Sequence, residues 1–301
     1  MLSICDVPGI RVGHQSDPDA RTGCSVVLPD APAVGGVDVR GSAPGTREVE
    51  LLHPVRLVQR VDAVGLCGGS AFGLDAISGM HRYLAEQNRG FDTGVRRVPI
   101  VPGAVLFDLG VGRADAWPDA QMGYNACLNA SDHYDHDTAA SAGCGATAGK
   151  AAGMASASRG GMGTSSVTLP GDIVIGALIA VNPLGEIIHP ETGEIVAGIQ
   201  NETRDAFIPT LSVLKQGLAH PPAGNTTLAV VATNATLNRE QAVKVAQMAQ
   251  DGLARTIRPA HTLWDGDIVF VLSCGTRQAD VSVIGAFAAE TVAAGILNAV
   301  A

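Results

Sequence analysis

The sequence predicts a layered protein of sheets and helices, the α+β class, and three observations carry that expectation. Hydrophobic residues make up 46% of the 301, yet aromatics are only 4% and glycines number 37. Such a core packs through small residues and turns often. In the first third, short apolar runs alternate with turn residues, as strands do. In the last third, apolar strands alternate with stretches of helical periodicity. The length suits one large domain.

The early runs are residues 25–28, 34–39 and 62–66. Ser70 opens a segment with Leu74, Ile77, Met80 and Leu84 on one face, stopped by Asn88-Arg89-Gly90, which reads as an amphipathic helix capped at both ends. Residues 98–103 and 114–121 are crowded with Pro, Gly and Asp and read as connection. The glycine-dense tract 139–163 permits positive φ angles and close backbone approach to something bound. Residues 172–181 are nearly all apolar, as a strand buried on both faces is, and end at Asn182. Residues 193–223 have the most linker-like composition. A strand from Thr226, a helix within 234–257, a strand at 267–272 and an Ala-rich helix from Asp280 complete the chain.

The net charge of −9 comes from scattered acids with no basic stripe, which excludes nucleic acid as a partner. Six cysteines (Cys5, Cys24, Cys67, Cys127, Cys144, Cys274) form no Cys-x-x-Cys pair, so neither a zinc motif nor a disulfide framework is expected. The N-terminus lacks a secretory pattern and no uncharged apolar run reaches about 18 residues, so the expected location is the cytoplasm, without membrane contact. No motif calls for a cofactor. Gly145-x-x-x-Gly149-Lys150 is one residue short of a phosphate loop, and Ala151 stands where a metal-binding hydroxyl belongs. The His133/His136 cluster, flanked by Asp132, Asp135 and Asp137, has metal-ligand residue types but the character of a solvated loop, so no metal is expected.

The informative stretch is Gly224-Asn225-Thr226-Thr227 running into an apolar strand. By itself it is a turn before a β-branched strand start. It is also where a self-cleaving precursor exposes a new N-terminus. A free Thr226 would carry a hydroxyl nucleophile and an α-amine of pKa about 8, nucleophile and general base in one residue. Asp265 and Asp267 stand before a strand, either as an Asx turn or as carboxylates that orient those two groups. Lys150, a lone long cation among small residues, is either a solvated loop lysine or a buried ammonium that stabilises charge. Asn182 offers a side-chain amide to an oxyanion, and Tyr124, one of three tyrosines, is expected to line the same pocket.

Taken together these pieces resemble the DmpA-type N-terminal nucleophile hydrolases, aminopeptidases and amidases that include β-peptidyl aminopeptidases and the nylon-oligomer hydrolase. The resemblance spans nearly the whole chain. It is carried by residues 6–14 (DVPGIRVGH), 37–48 (VDVRGSAPGTRE), 67–74 (CGGSAFGL) and 224–227 (GNTT). It implies a four-layer αββα sandwich, shared with the ornithine acetyltransferases. It also implies self-cleavage at Asn225-Thr226 into residues 1–225 and 226–301, and an assembly of four processed copies. Tyr124, Lys150 and Asn182 are matched to the family's pocket tyrosine, lysine and oxyanion asparagine. A nucleophilic Thr with an Asp-x-Asp pair looks more like the nylon-oligomer branch than the aminopeptidase branch. The activity implied is amide hydrolysis through an acyl-enzyme on Thr226, acting on small peptides or ω-amino acid oligomers. D- or β-aminopeptidase action is the alternative, an acyltransferase of the ornithine type a further one, and a binding protein with a decayed site the non-enzymatic rival.

Overall fold

Hydrophobic alternation along the strands divides the molecule into four layers. The computed structural model describes residues 2–134, 140–217 and 224–301. One sheet has five strands, in the order β1 (Ile10–Asp17), β2 (Thr22–Pro29), β6 (Val64–Cys67), β7 (Gly103–Val105) and β4 (Gly45–Arg47). The other has six: β8 (Gly161–Leu169), β9 (Ile173–Asn182), β10 (Thr226–Ala235), β11 (Ile268–Arg277), β3 (Ala33–Val39) and β5 (Arg60–Val61). Successive side chains of a strand face opposite ways, so each sheet presents two faces to be covered.

The inner faces meet each other. Val12, Val27 and Leu66 of the first sheet join Leu178, Val230 and Phe270 of the second in one buried cluster. The outer face of the six-stranded sheet, with Ile179, Val231 and Val269, packs on helices α4 (Arg239–Thr256) and α5 (Val281–Asn298) through Val245, Leu253, Ile284 and Val292. The outer face of the five-stranded sheet, with Val26 and Leu28, packs on α1 (Asp75–Glu86) and α2 (Ala120–Leu128) through Ile77, Met80 and Ala126. The order is helix, sheet, sheet, helix, the αββα sandwich expected. A short α3 (Thr210–Lys215) lies apart from these layers.

Several local expectations shift. Ser70 starts a 3-10 turn over Ser70–Leu74, and α1 begins only at Asp75. Asn234 and Ala235 still belong to β10, and Asn238 caps α4 in a reciprocal box with Gln241. The connection expected at 114–121 instead ends in α2, capped by the Asp119 carboxylate on the Met122 amide. The linker-like segment 193–223 holds short strand pairs and α3 among its described residues. The glycines of 139–163 do permit close approach, but to the chain's own backbone: a Cβ at Gly143 would strike Gly161, one at Gly149 would strike Gly198, and one at Gly160 would strike Val181.

By length and composition α5 is apolar enough to cross a bilayer, but half of it is buried, and its apolar residues cover the sheet. All six cysteines are free thiols. Among the described residues no group of three or more His, Cys, Asp or Glu is assembled for a metal, while Asp135, His136 and Asp137 lie outside those residues.

Candidate active site

Thr226 is the first residue of β10, the strand held between β9 and β11, and its register partner on β9 is Asn182. One end of the central pairing therefore sets two of the expected site residues side by side, though 44 positions separate them in sequence (226 − 182 = 44). Gly224 adopts φ +80°, and a Cβ there would run into the Phe107 ring, so only glycine lets the chain enter the strand at this angle. Thr226 is 4% exposed, and its hydroxyl donates to the carbonyl oxygen of Asn225.

Asn182 is completely buried, and its amide orientation is dictated by its neighbours. Lys150 Nζ donates to Asn182 Oδ1 at 2.7 Å, and the Thr147 amide donates to the same oxygen at 2.9 Å. An ammonium has no acceptor, so the oxygen must face it and the NH₂ must face the other way. That NH₂ donates to the carbonyls of Phe107 at 3.1 Å and Gly224 at 3.3 Å. Lys150 also donates to the backbone oxygens of Thr147 (3.0 Å) and Asn182 (2.8 Å), which uses all three of its N–H groups. It is 2% exposed, so it is a buried ammonium and not a solvated lysine, and it reaches the Thr226 region through Asn182. Burial pushes its ammonium down to about 7, an effect partly offset by the carboxylates of Asp265 and Asp267.

Both aspartates are buried at the entrance to β11. Asp265 accepts from the Leu184 amide at 3.1 Å and from the Thr262 hydroxyl. Burial, and then the charge of Asp267, push its carboxyl up to about 6. Asp267 accepts from the Thr227 amide at 2.7 Å and from the amide and Nδ1 of His261 at 2.9 and 3.0 Å. Among the described residues the carboxylates thus flank Thr226, one at the amide that follows it, and neither bonds its hydroxyl. The turn between them is clamped by the 37–48 motif: Arg40 and Gly41 donate to the Asp267 carbonyl at 3.0 and 3.2 Å, and Ala43 to the Asp265 carbonyl at 2.9 Å. A Cβ at Gly41 would collide with this turn, which is the physical reason for a glycine there.

Thr226 opens onto a cavity of about 300 Å³. Its walls include Pro44, Val105, Phe107 and Trp264, with Ser70 and Ala71 at one side. The 67–74 motif reaches it because the buried Asp108 carboxylate accepts from the Gly69 amide at 2.7 Å and the Thr22 hydroxyl at 2.8 Å, holding the loop in place. Burial raises that carboxyl above its usual range.

Tyr124 is a correction. It lies on α2 in the outer helical layer, where its hydroxyl donates to Glu86 at 2.7 Å and the Arg82 guanidinium stacks on its ring at 4.4 Å. It does not line the cavity, because the face of α2 that bears it is directed to α1. The aromatic walls are Phe107 and Trp264, neither singled out in the sequence. Phe107 stands two residues past β7 in an otherwise irregular stretch, and Trp264 directly precedes Asp265, a proximity that was the available signal. His261 and Thr262, which hold the aspartates, went unnoticed for the same lack of local pattern.

Comparison with known proteins agrees with this architecture. An uncharacterised aminopeptidase of Mycobacterium leprae is 42% identical over 332 residues, covering 100% of this chain and 90% of that protein. A 6-aminohexanoate-oligomer endohydrolase of Kocuria is 28% identical, covering 98% of this chain and 84% of that one. The structure of the L-aminopeptidase D-Ala-esterase/amidase of Ochrobactrum anthropi, described as a variant of the Ntn hydrolase fold, superposes with a TM-score of 0.74 at 18% identity, over 99% and 85% of the two chains. Residues 3–301 match the family described as peptidase family S58, so this chain belongs to that family, a hydrolase of amide and peptide bonds built on the Ntn hydrolase sandwich.

Proposed function

We propose that the chain cuts itself between Asn225 and Thr226 and then hydrolyses amides with the new N-terminal threonine. The observation that carries this reading is the position of the Thr226 hydroxyl, against the carbonyl of the residue before it and at the mouth of a cavity. In the cut enzyme the α-amine takes the hydroxyl proton as Oγ attacks a substrate carbonyl. The Asn182 NH₂, turned away from Lys150 and released from the Gly224 carbonyl when the cut frees that segment, receives the oxyanion. The α-amine returns the proton to the departing amine, and water releases the acyl group from Thr226. Asp265 and Asp267 hold the surrounding backbone and keep the charge of the site in balance.

The apolar cavity walls fit an acyl group without charge near the reacting carbonyl, which favours ω-amino acid oligomers of the kind named for the Kocuria relative. Aminopeptidase action is the second reading, favoured by the name of the 42% identical relative. The same reading includes an assembly of four cut subunits in the cytoplasm, tested by light scattering and cell fractionation.

Intact mass is the first test, with fragments of 225 and 76 residues expected (301 − 225 = 76). Thr226→Ala should remain whole and turn over neither aminoacyl amides nor 6-aminohexanoate oligomers. A Thr226→Ala chain that cuts itself or hydrolyses either substrate overturns the proposal.

A further inference from the structure

The two amide donors near Thr226 serve different carbonyls. The Asn182 NH₂ is directed to the carbonyls of Phe107 and Gly224, one residue short of the Asn225-Thr226 bond. The Asn225 carbonyl oxygen itself accepts the backbone N–H of Gly266 at 2.9 Å, as well as the Thr226 hydroxyl. Gly266 is the middle residue of the turn between the two aspartates, and the contact belongs to a parallel bridge between Asn225 and Asp265.

The donor is rigid. The turn that carries it is tied on its far side by the three backbone hydrogen bonds from Arg40, Gly41 and Ala43. Its residue type also answers to the reaction. A Cβ at position 266 would lie 2.7 Å from the Ala43 carbonyl oxygen and 2.9 Å from Thr226 Oγ, in the space the nucleophile occupies. Glycine therefore brings an N–H to the carbonyl without crowding the hydroxyl that attacks it. A fixed donor aimed at an oxygen where negative charge develops is what stabilises a tetrahedral intermediate.

We propose that the Gly266 backbone N–H is the oxyanion donor of the self-cleavage step, a donor distinct from the Asn182 amide that serves substrate. The inference rests on the self-cleavage reading given above. Thr226 Oγ forms a bond to the Asn225 carbonyl carbon, and the electron pair of the C=O moves onto the oxygen held by Gly266. The hydroxyl proton passes to the Thr226 nitrogen, the C–N bond breaks, and the carbonyl re-forms as an ester of Asn225 with Oγ. Water then adds to that ester and the C–Oγ bond breaks, leaving an Asn225 carboxylate, a free Thr226 amine and a restored hydroxyl.

The test replaces one N–H by an ester oxygen, with no change of side chain. Glycolic acid is inserted at position 266 by nonsense suppression in cell-free translation, and conversion of the precursor to fragments is timed by intact mass. Glycolic acid at position 193 is the control, since it removes the N–H that bonds the His189 carbonyl at 2.8 Å in a turn outside the cavity. Circular dichroism establishes that both esters fold. The expected result is cleavage about 10²–10³-fold slower for the ester at 266, with the ester at 193 within about threefold of the unmodified chain. Cleavage of the 266 ester at the unmodified rate, or equal slowing of both esters, overturns the donor assignment while leaving self-cleavage intact. An unmodified chain that never yields a Thr226 terminus overturns the reading beneath it, a result the two esters cannot mimic.

Discussion

Lys150 illustrates how a single residue acts through another. Its three N–H groups are spent on Thr147 and Asn182, so its contribution is the orientation of the Asn182 amide. Lys150→Met keeps similar bulk but leaves the Thr147 amide as the remaining backbone donor to the Asn182 oxygen, so the amide is held less firmly, and kcat is expected to fall by up to roughly a hundredfold, the scale associated with misplaced catalytic groups. The residue also marks the stability profile. Its folded pKa, about 7, lies below the ordinary 10.5, so between those values the unfolded chain binds a proton that the folded one does not. Stability therefore rises with pH across that window, by up to about 1.4 kcal/mol per unit. Asp265 has the opposite sign: its folded pKa of about 6 lies above 3.8, so its contribution falls as pH climbs between them. Urea unfolding of the uncut Thr226→Ala chain should show a minimum near pH 6–7 and a rise toward about pH 8.5, above which the buried thiols, whose ionisation burial opposes, ionise only on unfolding and reverse the slope, and adding Lys150→Met should abolish the rise. A flat profile between pH 7 and about pH 8.5 with Lys150 present would contradict the burial argument. Tyr124→Phe gives the contrasting case. Removing a surface hydroxyl that meets Glu86 should leave kcat/KM within about twofold and the unfolding transition unmoved, checked by steady-state kinetics and thermal unfolding.

At the scale of elements, close backbone approach decides more than propensity. Helix α2 carries Gly123 and Asn125 and lacks a clear apolar stripe, so its sequence gives little sign of a helix. It forms because α1 and α2 press together at glycines: a Cβ at Gly79 would strike the Ala120 carbonyl, and one at Gly123 the Ala76 carbonyl. The same logic governs the Asp265–Asp267 turn, whose position depends on a glycine in a distant motif. Gly41→Ala forces a methyl group into the Asp265 carbonyl and Asp267 amide, and the turn must shift. We expect at least a hundredfold loss of amide hydrolysis and a destabilisation of about 1–3 kcal/mol, read by kinetics and by urea titration. Gly41→Ala with full activity would show that the clamp does not position the aspartates. The strands β9, β10 and β11 were legible in outline because their apolar runs are long and bounded by polar residues, whereas the short strands of the five-stranded sheet rely on partners for definition.

At the scale of the molecule, the proposed cut falls at the edge of an element and not between separable bodies. Residues 226–301 supply two central strands of the six-stranded sheet together with α4 and α5, and β10 pairs with β9 of the larger piece while β11 pairs with β3. The two fragments should co-elute in native size-exclusion chromatography and separate only in denaturant; separation under native conditions would contradict this account. The sequence by itself determined the layered class and the long central strands, because hydrophobic pattern is written along the chain, and through the family resemblance it singled out Thr226, Asn182, Lys150 and the Asp265/Asp267 pair as candidates. Only the tertiary structure decided that Phe107 and Trp264 wall the cavity while Tyr124 stays on the outer layer, and that Lys150 is buried against Asn182. Those outcomes depend on which distant segments pack together, and packing between residues far apart in sequence leaves no periodic trace in the sequence of either partner.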